Sequence, residues 1–126
     1  MLSSLLHVAL GGAIGAALRH LTGVGVFRAF GPQDFPVAIL AVNIIGSFLM
    51  GFFVVTAAHR GLTHLNPFVM TGIMGGFTTF SAFSLEAVTL YERGALGHAA
   101  LYVGLSVGLS IGALFLGLYL ARGLWT

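Results

Sequence analysis

A chain of 126 residues that is 58% hydrophobic and 6% charged, with mean hydropathy +1.05, is not an ordinary water-soluble domain, which carries about 25% charged residues. Five basic and three acidic side chains do not cover a water-facing surface of this size, so the solvent this sequence expects is lipid. The absence of cysteine excludes disulfides, thiol catalysis and thiolate metal sites, and a net charge of +2 from so few charges offers nothing to a nucleic acid.

A spanning helix needs about 20 mostly apolar residues. Residues 2–21, 35–58, 67–91 and 98–121 each meet that need. Backbone polar groups in lipid must be satisfied within their own segment, so all four are expected as helices. The expectation is an all-α membrane protein, with residues 1–126 forming a single four-helix transmembrane domain. No repeat or low-complexity tail interrupts it.

The first stretch lacks a basic leading region, and three more apolar stretches follow, so it does not read as a cleaved signal peptide. Arg19 stands near its end, where it can snorkel toward the interface. The second stretch is uncharged and carries Asn43 near its middle, with Ser47 one turn on. A central asparagine in lipid is costly unless it is bonded. It serves as an interhelical bond, or its amide donates to an anion in a pore.

The third stretch contains GIMGGFTTFSAFSLE, from Gly72 to Glu86. Gly75 and Gly76 are followed at once by Thr78 and Thr79. Adjacent glycines weaken a helix by up to about 1 kcal/mol each, and nearby hydroxyls can bond freed backbone groups. On one reading the third helix breaks near its middle, as the resemblance given below also implies, and exposes carbonyls that suit a hard cation such as Na+. The plainer reading makes Gly72 and Gly76 a close-packing pair. Phe77, Phe80 and Phe83 recur at i, i+3, i+6. Such a stripe packs a core, or it turns positive ring edges toward a small anion. Glu86 lies near the end of this stretch. An ionisable residue at such a place is a functional candidate.

The fourth stretch carries two tracks at i, i+4 spacing. Tyr102, Ser106 and Ser110 align hydroxyls; Gly104, Gly108 and Gly112 align small residues two positions away, on roughly the opposite face. One face can pack while the other presents donors. The five histidines sit at or near helix ends and form no HxxxH or HExxH pattern, so no metal is assigned to them.

Four spans put both termini and the loop between the second and third spans on one side, with Arg60 and Arg122. The other side holds Arg28 and Arg93, joined by Arg19 if it snorkels. Orientation follows such asymmetry, and here it nearly vanishes. The balance admits insertion in both orientations, so that two opposed copies form an inverted pair. It also admits one orientation set by a weak bias.

Three separated segments, GGAIGAALRH, VNIIGSFLMG and GGFTTFSAFSLE, resemble in order and spacing the signature segments of the Fluc/CrcB family of fluoride ion channels. The resemblance covers essentially the whole chain, and the third segment is its most specific part. It implies an antiparallel, dual-topology homodimer with two fluoride pores in the cell's inner membrane, exporting fluoride passively and catalysing no reaction. It implies pore roles for Asn43, Phe80, Phe83, Tyr102, Ser106 and Ser110. It further implies a structural Na+ held at the dimer centre by backbone carbonyls at Gly75 and Thr78. Arg19 and Glu86 match the family's arginine and glutamate. His20 and Leu114 depart from the pattern of some relatives, and Leu114 bears on how far the hydroxyl track extends. The chemistry agrees: a strongly hydrated anion needs hydrogen-bond donors in place of water, without a fixed cation that would hold it too tightly. No ATP-binding loop or carboxylate relay is present, which favours a channel over a pump. A small dual-topology multidrug exporter would need a carboxylate deep in its first helix. A non-transporting structural subunit would not need the combined Asn, Phe and Ser pattern.

Overall fold

A computed structural model describes residues 1–32 and 34–125 of the chain, all of the regular structure among them helical. Four helical segments are long and apolar enough to cross a membrane, with mean hydropathy between 1.4 and 2.4. Large apolar side chains such as Leu10, Phe115 and Tyr119 stand exposed around the outside, as expected where the surroundings are hydrocarbon rather than water.

Helix α1 (Leu2–Phe30) runs well past the expected end near Leu21. Gly23 and Gly25 lower local helix propensity by only about 1 kcal/mol each, and no proline interrupts the run. The helix stops at Gly31, whose N–H makes a last helical bond to the Phe27 carbonyl at 2.7 Å while its positive φ of 74° turns the chain away. Helix α2 (Val37–Arg60) starts two residues later than residue 35 because Pro36 occupies its N-cap and constrains the backbone of Phe35. Gly61, left-handed at φ 68°, closes its other end.

The third span is discontinuous. A short 3₁₀ turn (Thr63–Leu65) leads to a π-helical stretch (Pro67–Met74), which runs into the single turn α3 (Gly75–Phe77). Thr78 and Thr79 are then extended, and helix α4 (Phe80–Glu92) resumes the span. The break divides the phenylalanine stripe. Phe77 lies before it and is buried, whereas Phe80 lies after it and is 79% exposed. The three rings therefore do not share one helical face. Helix α5 (Leu96–Leu124) completes the set.

Small residues set the packing. Gly11 and Gly15 on α1 meet the backbone of Phe68, Gly72, Ile73 and Phe77, while Gly76 meets Gly12 and Ala16. The close-packing role of Gly72 and Gly76 is thus realised alongside the helix break. Helices α2 and α5 approach in the same way. Gly51 lies against the backbone of Leu114 and Leu118, and Gly117 against that of Phe48 and Phe52. Without a hydrophobic drive between helices in lipid, this backbone approach carries the association. At the chain end Trp125 Nε1 donates to Thr56 Oγ1 at 2.8 Å, and the Arg60 guanidinium lies 4.8 Å from the Trp125 ring centre. That cation–π contact fastens the end of α5 to the end of α2.

Candidate functional site

The helix break organises the site. In an uninterrupted helix the Thr79 N–H would bond the Gly75 carbonyl. Here it donates to Asn43 Oδ1 at 2.8 Å. Asn43 Nδ2 in turn donates to the Thr79 carbonyl at 3.1 Å. One amide side chain on α2 thus holds both the N–H and the carbonyl of a residue whose backbone has left the helix. The asparagine amide has two N–H groups and one is used, so the other remains available as a donor.

Hydroxyls and a guanidinium complete the break. Thr79 is the N-cap of α4, its Oγ1 accepting from the Ala82 N–H at 3.1 Å. A threonine cap of this kind contributes about 1 kcal/mol. Thr78 Oγ1 donates back to the Met74 carbonyl at 2.8 Å. Arg19 Nε donates to the Gly76 carbonyl at 3.1 Å, so Arg19 is half-buried and tied to the break instead of lying free at the interface. These diversions single out two carbonyls. Gly75 has lost the Thr79 N–H to Asn43, and Thr78 has lost the Ala82 N–H to the Thr79 hydroxyl.

A cavity of about 380 Å³ opens beside the break. Asn43, Phe80, Phe83, Ser106 and Ser110 all line it, together with Ser47, Thr78, Thr79 and Leu114. Five of the six residues expected along a pore therefore meet on one surface, from α2, α4 and α5. Tyr102 is the sixth. It is fully buried just beyond the cavity, its ring 5.3 Å from that of Phe83, which is in turn 5.5 Å from Phe80. Leu114 continues the cavity wall with an apolar group, so the hydroxyl track ends at Ser110.

Tyr102 Oη, Ser106 Oγ and Ser110 Oγ are buried with no hydrogen-bond partner among the described residues. Buried hydroxyls are ordinarily bonded, and leaving one unmade costs about 1–3 kcal/mol. The serines do not bond back to their own helix, the usual refuge of an isolated serine in lipid. Three such groups along α5 form a row of donors without an internal acceptor.

Glu86 sits half-buried in the second turn of α4 and does not line the cavity. Gly75 is exposed and also lies outside the cavity wall. The bracketing of Thr79 by Asn43 was not anticipated from sequence. Neither was the position of Phe35, whose ring stands perpendicular to Tyr102 at 5.6 Å. The Phe-Pro dipeptide was the available signal for the latter, since it sets residue 35 outside the helix.

Residues 6–118 match the family described as CrcB-like protein, Camphor Resistance (CrcB). The chain is 72% identical over 126 residues to a fluoride-specific ion channel FluC of Ruegeria sp. (strain TM1040), with all of both chains covered. It is 66% identical over 125 residues to the protein of that name in Roseobacter denitrificans, covering 98% of this chain and 99% of the relative. The corresponding protein of Cereibacter sphaeroides is 63% identical over 123 residues, with 98% of each covered.

Proposed function

This chain belongs to the CrcB-like family, and from that premise we propose that it is a fluoride-selective ion channel of the cell's inner membrane, letting fluoride leave the cytoplasm passively. One observation carries the reading. Buried hydroxyls on Tyr102, Ser106 and Ser110, unpartnered among the described residues, adjoin the rings of Phe80 and Phe83 and the amide of Asn43. Fluoride is small and holds its water strongly. A row of neutral donors replaces that water, and ring edges carry the ion between donors. Arg19 is engaged with a backbone carbonyl, which fits a path free of a cation that would trap the anion. Hydrogen fluoride is a weak acid that enters cells neutral and dissociates inside, so an open anion path lowers cytoplasmic fluoride without an energy source. Liposomes holding the purified chain should release fluoride and retain chloride; equal release of both ions would refute selectivity.

Several features support a second copy in the opposite orientation. Phe80 is 79% exposed in the single chain, and a pore residue needs a facing wall. Gly75 is exposed, and a Cβ added at Gly104, Gly108 or Gly112 would meet nothing within 4 Å among the described residues. Such a small-residue face admits close backbone approach. The near balance of arginines between the two sides suits opposed insertion.

The Gly75 and Thr78 carbonyls fit a structural Na+ in this arrangement. Both have lost their helical donors to side chains, and a hard cation takes oxygen ligands from unwound backbone. Gly75 lies on the outer face, so two copies meeting there would offer one pair of carbonyls each. The cation would supply positive charge at the junction, while Asn43 and Thr79 keep the break open to it.

A further inference from the structure

We propose that Phe35 is a positioning residue for conduction, holding the Tyr102 ring so that its hydroxyl heads the donor row. The inference rests on the reading of that row as a fluoride path. Among the described residues the Tyr102 hydroxyl has no hydrogen-bond partner to fix it. Its direction is set by what packs on the ring. Phe83 lies on it at 5.3 Å with an interplanar angle of 39°, and Phe35 meets it at 5.6 Å and 90°. Phe83 belongs to the cavity wall itself, whereas Phe35 approaches from the loop before α2 and lies outside the cavity.

Phe35 is itself held in place. Pro36 restricts its backbone, and its carbonyl accepts from the Val37 N–H at 2.8 Å. The His98 ring packs against it at 6.1 Å and 75°. His98 stands at the start of α5, one turn before Tyr102. The loop ring is therefore clamped between two residues of one helical face, and it transmits that fixed position to the tyrosine. A perpendicular aromatic pair has a defined geometry, which an aliphatic side chain of similar size does not impose.

The test is fluoride efflux from liposomes, normalised to folded protein, for Phe35→Leu and Phe35→Tyr. Loss of one aromatic pair predicts a fall of about fivefold in Phe35→Leu. Phe35→Tyr, which keeps the ring, should stay within about twofold of wild type. Because Phe35 acts through the tyrosine hydroxyl, Phe35→Leu should change flux by less than about twofold in a Tyr102→Phe background. A second measurement does not depend on flux. In protein with isotope-labelled tyrosine rings, the NMR signal lost in Tyr102→Phe identifies Tyr102, and that signal should shift or broaden in Phe35→Leu. Wild-type flux in Phe35→Leu, an undiminished fall in the Tyr102→Phe background, or an unmoved Tyr102 signal would each overturn the proposal. Failure of the wild-type chain to release fluoride would refute the channel reading instead, and the Tyr102 signal would still report on the ring contact.

Discussion

Asn43→Asp is expected to lower normalised fluoride efflux by about 100-fold or more. Two effects act together. An ionised carboxylate beside the cavity repels the anion, and at an effective dielectric near 20 two like charges about 4 Å apart repel by about 4 kcal/mol. Each factor of ten in rate corresponds to about 1.4 kcal/mol, so partial screening still leaves a loss of two decades. The same change removes the Nδ2 donor from the Thr79 carbonyl, now satisfied at 3.1 Å, and sets two oxygens against each other. A neutral aspartic acid offers one proton, which serves the Thr79 carbonyl or the anion but not both. Efflux within about threefold of wild type, a difference below 1 kcal/mol, would remove Asn43 from the path and leave it as the bracket of the helix break.

Gly15→Val and Gly75→Val are expected to fail at different levels. A side chain at Gly15 would run into the Ile73 carbonyl oxygen and come within 2.8 Å of the Phe77 nitrogen, both of them backbone atoms. Neither can turn aside, so α1 must separate from the broken helix. Overpacking of this kind costs about 3 kcal/mol or more, and the yield of folded monodisperse protein should collapse. At Gly75 an added Cβ meets, among the described residues, only the Met70 carbonyl, at an ordinary 3.7 Å. The single chain should therefore fold, while valine crowds the face proposed above to meet a second copy. Cross-linking in membranes should then recover folded chain with a depleted dimer. A wild-type dimer population in Gly75→Val would take Gly75 away from any junction between copies.

Most of this architecture was legible because lipid simplifies the code. Length and hydropathy identify the spans, and Gly75-Gly76 followed by Thr78-Thr79 admits a break in the third, which the fold realises. Hydroxyl spacing on α5 could be read from period alone, since Tyr102, Ser106 and Ser110 remain on one unbroken helix. The stripe of Phe77, Phe80 and Phe83 could not. Its spacing assumes a continuous helix, and the extended backbone at Thr78 and Thr79 rotates the second half of the span relative to the first. The end of α1 was also hidden, because Gly23 and Gly25 look like loop residues yet are tolerated within a helix. The bond from Asn43 to Thr79 joins residues 36 positions apart, and no local pattern encodes such a meeting. Sequence identified Asn43 as costly unless bonded, and the fold supplies the partner.

The central claim is that the rings and hydroxyls beside the helix break line a path for fluoride. Phe80→Leu tests it most directly, because the Phe80 ring is 79% exposed in the single chain, and leucine keeps a large apolar side chain beside Phe83, 5.5 Å away, at small cost to the fold. The measurement is fluoride efflux from liposomes per folded protein, wild type against Phe80→Leu, with chloride followed in parallel. Fluoride efflux should fall by about tenfold or more, equivalent to loss of at least about 1.4 kcal/mol of stabilisation along the path, with the amount of folded protein unchanged. Fluoride efflux equal to wild type in Phe80→Leu would contradict it.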